Sequence, residues 1–217
     1  IWPAELMGVK RLYEEDPSQV LNLPYDVPAN EFMNLEGRGM SGSRHWAVWA
    51  DEALDRYDPD AVRYYLTVSM PETRDTYWTW DEFVHRNNKE LVGTWGNLAH
   101  RALTFAYKRF DGQVPPPGTL DDLDMALLDN VEEGFDTVGE LLAGCHFRAA
   151  LNEVMELARE ANRYLEEKGP WFQIKEDREA AGTTLYVVLK MIDSLKILFA
   201  PFLPFSSERL HHYLGYE

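Results

Sequence analysis

Four long segments after Thr79 repeat apolar residues at steps of three, four or seven, the spacing of one face of an α-helix. Glycine and proline separate the segments, at Gly118, Gly144, Gly169 and Pro201. Amphipathic helices joined by short loops pack as an antiparallel bundle, so we predict a mainly α fold. The residues predicted to face inward are Val84, Leu91, Trp95, Leu98, Ala102, Phe105, Leu127, Val131, Val138, Leu142, Phe147, Leu151, Val154, Ala158, Ala161, Leu165, Leu185, Leu189, Ile192, Leu195 and Phe199.

The first 75 residues or so have a different, mixed character. Four prolines among the first 28 residues would break any long helix there. Residues 31–35 favour a short strand, and residues 51–66 favour two short helices with a turn between them. We therefore predict a small mixed α/β part, residues 1–78, followed by a helical domain, residues 79–217.

Several side chains are suited to begin a helix. Thr79 and Glu82 have the spacing of a capping box, in which each side chain accepts a hydrogen bond from the other residue's backbone amide. Thr119 is the predicted N-cap of the second bundle helix, and Ser206 begins a last short helix. These positions predict where the bundle helices start.

The charge is strongly negative and unevenly distributed. The formal net charge is -16, which argues against nonspecific nucleic-acid binding, because such binding depends on many phosphate contacts. Residues 84–110 nevertheless carry five basic residues and one acidic residue, whereas residues 111–147 carry nine acidic residues and no Lys or Arg. A local basic surface on the first bundle helix is therefore compatible with the composition.

The cysteine and histidine content and the hydropathy argue against a disulfide-linked, a metal-binding and a membrane-spanning protein. The single cysteine, Cys145, excludes an internal disulfide and indicates a small buried thiol in a reduced, cytoplasmic protein. The six histidines do not have metal-ligand spacing, so we predict no metal site. The most apolar stretch, residues 185–205, is interrupted by Lys190, Asp193 and Lys196, which argues against a membrane helix.

A polar stripe on the first bundle helix is the first candidate binding feature. Asn97 and Arg101 are four residues apart and share one helix face, which Thr94, Thr104 and Lys108 extend. An amide beside a guanidinium can read the edge of an unstacked base. A solvated helix face or a polar contact inside the bundle is the structural alternative.

Trp171 is the second candidate feature, since it directly follows the helix-breaking pair Gly169-Pro170. An aromatic ring at the start of a helix can stack on a base. It can equally close the end of a bundle. The residues alone leave both alternatives open.

A glycine-rich loop with flanking arginines is the third candidate feature. Its residues are Arg38, Gly39, Met40, Ser41, Gly42, Ser43 and Arg44. Backbone amides, hydroxyls and guanidinium groups of this kind can bind phosphates. An ordinary surface loop is the alternative.

In these features the chain resembles the methionyl-tRNA synthetases, a family of class I aminoacyl-tRNA synthetases. The motifs that carry the resemblance occur in the family's order over essentially the whole chain: Leu23-Pro-Tyr-Asp-Val-Pro-Ala-Asn-Glu-Phe, Gly39-Met-Ser-Gly-Ser43, Arg56-Tyr-Asp-Pro-Asp-Ala-Val-Arg-Tyr-Tyr-Leu66, Asn97-Leu-Ala-His-Arg101, Asn162-Arg-Tyr and Pro170-Trp171. The resemblance implies that residues 1–78 end a nucleotide-binding catalytic domain and that residues 79–217 bind an anticodon. It also implies that Asn97, Arg101 and Trp171 contact the CAU anticodon of tRNA(Met).

The resemblance also implies the chemistry of a longer parent enzyme. Such an enzyme attaches L-methionine to its tRNA through methionyl-adenylate, with ATP and Mg2+. The family's mobile ATP loop usually reads Lys-Met-Ser-Lys-Ser, whereas both lysines are glycine here, at Gly39 and Gly42. The family's His-Ile-Gly-His-type signature, methionine pocket and zinc-binding insert do not occur in the sequence, so we expect this chain alone to be inactive in aminoacylation, with no cofactor bound.

Three other functions are compatible with the residues. The chain could belong to a class I synthetase for valine, isoleucine, leucine or cysteine. It could be a catalytically silent paralogue that only binds RNA, which the two missing lysines favour. It could also be a helical protein-interaction module, which the acidic second helix favours.

Overall fold

The computed structural model describes residues 24–217. Residues 24–30 contain neither helix nor strand. Residues 31–217 form one compact unit, in which a small sheet with two short helices precedes a helical bundle. This confirms the predicted fold class. The prediction that the chain is irregular over residues 1–23 lies outside the described residues.

The small sheet has two parallel strands, with Leu35 of the first opposite Trp78 of the second. Parallel neighbours need a crossover connection, and here two short helices provide it. Asp58 caps the second of these helices by accepting a hydrogen bond from the amide of Asp60, with proline at the first helical position. The elements are β1 Met33–Leu35, α1 Ala50–Arg56, α2 Pro59–Val68 and β2 Thr76–Trp78.

An aromatic cluster joins the sheet to the first bundle helix. The ring of Tyr65 meets Trp78 edge to face at 4.8 Å, and Trp78 stacks on Phe83 at 5.3 Å. All three side chains are buried. Such aromatic pairs stabilise by about 0.5–1.5 kcal/mol beyond the area they bury, so this cluster fixes where the bundle begins.

The bundle consists of a long interrupted helix, two long helices after it, a one-turn helix, a third long helix and a short last one. Its core is continuous and includes fully buried Leu98, Leu151, Leu185 and Ile192. The elements are α3 Trp80–Arg86, the π segment Asn87–Gly96, α4 Asn97–Arg109, α5 Asp122–Ala143, α6 Phe147–Lys168, α7 Pro170–Gln173, α8 Arg178–Phe199 and α9 Pro204–Tyr213.

The predicted first bundle helix is present over residues 80–109, but the π segment interrupts it. A π turn closes its hydrogen bond over five residues instead of four. Buried or half-buried positions therefore recur at steps of four through the segment, at Phe83, Asn87, Leu91 and Trp95. The predicted inward position Val84 is wrong, since its side chain is 52% exposed.

The helix starts agree only in part with the predictions. The Thr79 hydroxyl accepts from the amide of Glu82, but the Glu82 carboxylate pairs with Arg86 instead of reaching back. The cap of α5 is Asp121, not Thr119, because Asp121 forms the reciprocal capping box with Asp124. The last helix begins at Pro204, ahead of Ser206.

A partly buried ion cluster joins the start of α5 to the end of α6. The Lys168 ammonium lies 2.8 Å from the carboxylate of Asp124 and 2.5 Å from that of Asp121. The Tyr164 hydroxyl donates to the same Asp124 carboxylate over 2.8 Å. Burial and this hydrogen bond raise the pKa of the Tyr164 hydroxyl far above its ordinary value. Asp124, which is 2% exposed, thus has three donors, the third being the backbone amide of Asp121. An unpaired carboxylate at this depth would be costly.

The expected buried thiol is only half-buried, so that prediction is wrong. Cys145 lies in the turn between α5 and α6, where its backbone adopts a φ of 58°. A side chain in a turn at a bundle end is enclosed less than one on the inward face of a helix.

No helix among residues 24–217 is long and apolar enough to cross a membrane.

Candidate nucleic-acid interface

Two of the three predicted anticodon residues are in direct contact. The guanidinium carbon of Arg101 lies 4.5 Å from the centre of the Trp171 ring, which is within range of a cation–π interaction. Asn97 is the first residue of α4, one turn before Arg101, and its side chain is exposed. Asn97 thus shares a face of α4 with Arg101, whereas only Arg101 and Trp171 line a common cavity.

The local backbone fixes the place of Trp171. Helix α6 ends at Gly169, whose φ of 53° is in the left-handed region that glycine adopts without strain. A Cβ at this position would also lie only 3.2 Å from the ring of Phe172. Pro170 then opens α7 with a φ already suited to a helix. Trp171 follows at once, half-buried against the bundle core.

Arg101 has a second, weaker partner in Glu166 of α6. Its guanidinium lies 3.7 Å from the Glu166 carboxylate, whose side chain is 69% exposed. Ion pairs this exposed contribute about 0–1 kcal/mol. Ligand groups can therefore compete for the Arg101 donors at little cost.

A cavity of about 350 Å³ adjoins the Arg101–Trp171 pair. Its walls combine cations, aromatic rings and a hydroxyl, the set that binds unstacked bases and their phosphates. We call it the interface cavity. It is lined by His100, Arg101, Thr104, Phe105, Lys108, Arg109, Trp171 and Ile174.

Sequence reasoning identified part of this lining. Thr104 and Lys108 belong to the predicted polar stripe, whereas Phe105 was expected in the core and is half-buried at the cavity wall. Arg109 was not foreseen, although it lies eight residues after Arg101 and so near the same helix face. Ile174 could not be predicted, because its place depends on the turn of α7. Trp95 is buried at 5% exposure, as predicted, and packs on Phe199.

The end of α4 is held from the other side by α8. Arg178 donates a hydrogen bond of 2.6 Å to the backbone oxygen of Arg109, and its guanidinium lies 4.7 Å from the centre of the Phe110 ring. The positive side chain satisfies a carbonyl that the helix end leaves free. The cationic end of α4 is thereby fixed next to the interface cavity.

A larger cavity of about 720 Å³ lies between the long helix, α2 and α9. Its walls are mostly apolar, and its lining includes none of Asn97, Arg101 and Trp171. Charged nucleic acid needs cationic partners. The smaller cavity has three cationic side chains in its lining and the larger one has Arg209 alone, so the smaller cavity is the candidate interface.

The glycine-rich loop forms a tight turn after β1. Ser41 and Trp46 exchange two backbone hydrogen bonds, of 2.7 and 3.0 Å, and the guanidinium of Arg38 lies 5.7 Å from the centre of the Trp46 ring. The hydroxyls of Ser41 and Ser43 are 3.3 Å apart. The loop thus presents hydroxyls and exposed arginines, including Arg44, to solvent.

Neither loop glycine is required by the backbone. Gly39 and Gly42 both have negative φ. A Cβ at Gly39 would lie 3.7 Å from the Asn34 side chain, and one at Gly42 would lie 3.4 Å from the ring of Trp49. These are ordinary contact distances. The loop could therefore accept side chains at both positions.

Among residues 24–217, no group of three or more His, Cys, Asp or Glu side chains is arranged to hold a metal ion.

Two family models match the chain in succession. The model for class I tRNA synthetases (M) matches residues 1–103. The model for the anticodon-binding domain of methionyl-tRNA ligase matches residues 114–217. Neither match favours the alternatives of a valine, isoleucine, leucine or cysteine enzyme, or of an unrelated interaction module.

Individual relatives agree with the family models. A methionine–tRNA ligase of Thermomicrobium roseum is 60% identical over the whole chain, which covers 36% of that protein. One of Pyrococcus horikoshii is 47% identical, and the chain covers 30% of it. The chain thus spans about a third of the length of the curated relatives it matches.

A solved structure shares the fold over the whole chain. The methionyl-tRNA synthetase of Mycobacterium tuberculosis in complex with methionyl-adenylate superposes with a TM-score of 0.86 at 29% identity. The match covers all of this chain and 41% of that one.

Proposed function

The chain belongs to the methionyl-tRNA synthetases, and from this we propose that its bundle binds the anticodon loop of tRNA(Met). The binding residues in this proposal are Asn97, Arg101 and Trp171. Residues 79–217 are the anticodon-binding domain, and residues 1–78 end the catalytic domain.

The stacked pair of Arg101 and Trp171 is the observation that carries this proposal. A base unstacked from the anticodon loop can lie on an aromatic face, typically worth about 1–3 kcal/mol. The guanidinium beside the ring has five fixed donors that can meet acceptors on a base edge. Asn97, one turn away, offers both a donor and an acceptor, so the three side chains together can discriminate between bases.

We extend the proposal to the longer parent enzyme. It attaches L-methionine to tRNA(Met) in the cytoplasm, using ATP as substrate and forming methionyl-adenylate. In the parent, the Ser41 and Ser43 hydroxyls and the Arg38 and Arg44 guanidinium groups would face the triphosphate. Mg2+ would accompany ATP, and we assign no described residue of this chain to it.

Binding of isolated anticodon stem-loops tests the anticodon proposal. One loop carries CAU and a second has one anticodon base changed. We expect the wild-type chain to prefer CAU, and Trp171→Ala to lose about 1–3 kcal/mol of that preference. Trp49→Ala, an exposed tryptophan outside the bundle, is the matched control and should bind as wild type. Equal binding of the two loops by the wild type would refute the proposal.

Pyrophosphate exchange tests the catalytic part. We expect no methionine-dependent exchange from this 217-residue chain. In the full-length parent, Gly39→Lys and Gly42→Lys should raise the exchange rate, because each adds a cation where charge develops on the phosphates; a single lost donor of this kind can cost about 10²–10³ in rate. An unchanged rate with both lysines would favour the silent paralogue instead.

A further inference from the structure

Helix α6 connects the two halves of the proposed site, because it ends directly before Trp171 and packs along the helix that carries Asn97 and Arg101. Among residues 24–217, two polar side-chain contacts join α6 to the long helix. One is the ion pair between half-buried Arg101 and exposed Glu166. The other is a hydrogen bond of 3.1 Å from the Asn162 side-chain amide to the backbone oxygen of Thr94.

The hydrogen bond from Asn162 meets the long helix where its geometry changes. Thr94 lies in the π segment, three residues before α4 begins. Its carbonyl also accepts from the amide of Asn97, and that amide is shared with the carbonyl of Val92. The contact therefore falls where the five-residue hydrogen bonds of the π segment give way to α-helical ones.

This transition sets which way α4 faces. A π turn contains more residues than an α turn, so the length of the segment determines the rotation of every later residue about the helix axis. Arg101 is seven residues after Thr94 and has to face Trp171 to stack on it. A change in the transition would turn Asn97 and Arg101 together, away from the ring.

Asn162 is well suited to hold the transition in place. Its amide nitrogen has two hydrogens, and it has two acceptors, the backbone oxygens of Thr94 at 3.1 Å and of Ala158 at 2.9 Å. The side chain is half-buried, so its donors are held between the two helices.

We propose that Asn162 is a positioning residue for anticodon recognition: it fixes the rotation of α4 so that Asn97 and Arg101 face the same base as Trp171. Asn162 itself does not contact the RNA. This inference rests on the proposed anticodon function.

Asn162→Asp is the decisive variant. Aspartate has nearly the same shape but no amide hydrogens, and its carboxylate would face two carbonyl oxygens. Asn162→Gln keeps both amide hydrogens and should therefore retain most of the wild-type discrimination between the two loops. Asn130→Asp is the control, because Asn130 also donates a side-chain hydrogen bond between two bundle helices, to Glu160 at the surface, away from the interface cavity.

The stem-loop pair described above gives the first readout. Asn162→Asp should lower the ratio of CAU binding to changed-loop binding by about tenfold, within the range seen for residues that act on a site without touching its ligand. Asn162→Gln and Asn130→Asp should keep the wild-type ratio. A merely structural role would weaken binding of both loops alike and leave the ratio unchanged.

The Arg101 Nε–H resonance gives a second readout that needs no RNA. In the wild type the Trp171 ring should displace its chemical shift, and Trp171→Ala identifies that displacement. Asn162→Asp should remove most of it. If Asn162→Asp does not fold by circular dichroism, Asn162→Ala, which removes the donors without repulsion, takes its place in both measurements.

The outcomes separate the two proposals. A folded Asn162→Asp or Asn162→Ala variant with the wild-type ratio and the wild-type shift would overturn the role of Asn162 and leave the anticodon proposal standing. A wild-type chain that does not distinguish the loops would instead remove the anticodon proposal.

Discussion

Gly134 and Gly139 show how different two glycines on one helix can be. Both lie in α5. A Cβ at Gly134 would lie 2.6 Å from a methyl carbon of Leu157, which is buried on α6, whereas a Cβ at Gly139 would meet nothing within 4 Å. The first glycine permits the close approach of two helices, and the second has no such role.

We therefore expect alanine to have opposite effects at these two positions. Gly134→Ala should lower the free energy of unfolding by about 1–3 kcal/mol, because overpacking forces a buried side chain to move. Gly139→Ala should raise it by up to about 1 kcal/mol, because alanine is the better helix former. Denaturant titration of both variants measures this, and equal effects would contradict the packing of α5 on α6.

Individual residues show which features of the site could be predicted from the sequence and which could not. Trp171 could be singled out because a glycine-proline break stands before it, and the αL conformation of Gly169 follows from the same residues. The contact between Arg101 and Trp171 could not be predicted from spacing, since 70 positions separate them and only the packing of α4, α6 and α7 brings them together. The half-buried state of Cys145 was missed for a similar reason, since a turn encloses less than a helix face.

At the scale of elements, the ion cluster between α5 and α6 predicts a dependence on pH. The hydrogen bond from Lys168 and that of the Asp121–Asp124 capping box hold the pKa of the Asp121 carboxyl below its ordinary value. A carboxyl whose pKa is lowered by folding stabilises the fold above its unfolded pKa of about 3.9, and loses that contribution as the pH falls through the folded pKa.

Asp121→Asn removes the charge and keeps a good N-cap. We expect it to be less stable than wild type near pH 6, with the difference shrinking below about pH 4. Asp122→Asn is the control, because Asp122 lies in the same turn without an ion pair among residues 24–217. Thermal unfolding across this pH range tests the prediction, which a difference independent of pH would contradict.

The helices themselves were mostly predictable, but the π segment was not. Apolar spacing predicted α5, α6 and α8, and the breaks at Gly144, Gly169 and Pro201 predicted where they end, because these signals are local. The start of α5 was predicted wrongly, at Thr119 instead of Asp121. The step of four through residues 83–95 also fits an α-helix loosely, so periodicity did not reveal the wider turns. Two exposed glycines, Gly93 and Gly96, are the only local sign that this part of the helix departs from regular geometry.

At the scale of the whole molecule, a chain of net charge -16 should bind RNA with a modest dependence on salt. Three cationic side chains, Arg101, Lys108 and Arg109, line the interface cavity. Since Arg101 is assigned to a base, Lys108 and Arg109 remain for phosphates. With about 0.7 counterions released per phosphate of a single strand, the slope of log affinity against log salt should be about −1.4.

Lys108→Gln should make this slope shallower by about 0.7 and weaken the CAU loop and the changed loop equally. Lys190→Gln, an exposed lysine of α8 that does not line the interface cavity, should leave the slope unchanged. Binding measured at four or five salt concentrations gives both values. A slope near zero in the wild type would mean that the interface cavity does not face phosphates.

The acidic residues of α5 have a consequence for how an RNA approaches. Six of them are exposed: Asp122, Asp129, Glu132, Glu133, Asp136 and Glu140. None lines the interface cavity, so these carboxylates and the cations of that cavity lie apart. Their separation contributes to an electric dipole moment of the bundle. A polyanion diffusing in this field experiences a torque as well as a force. Under the anticodon proposal, encounters that begin at the acidic face are turned away before contact, and the anticodon loop reaches the cationic end of α4 already oriented.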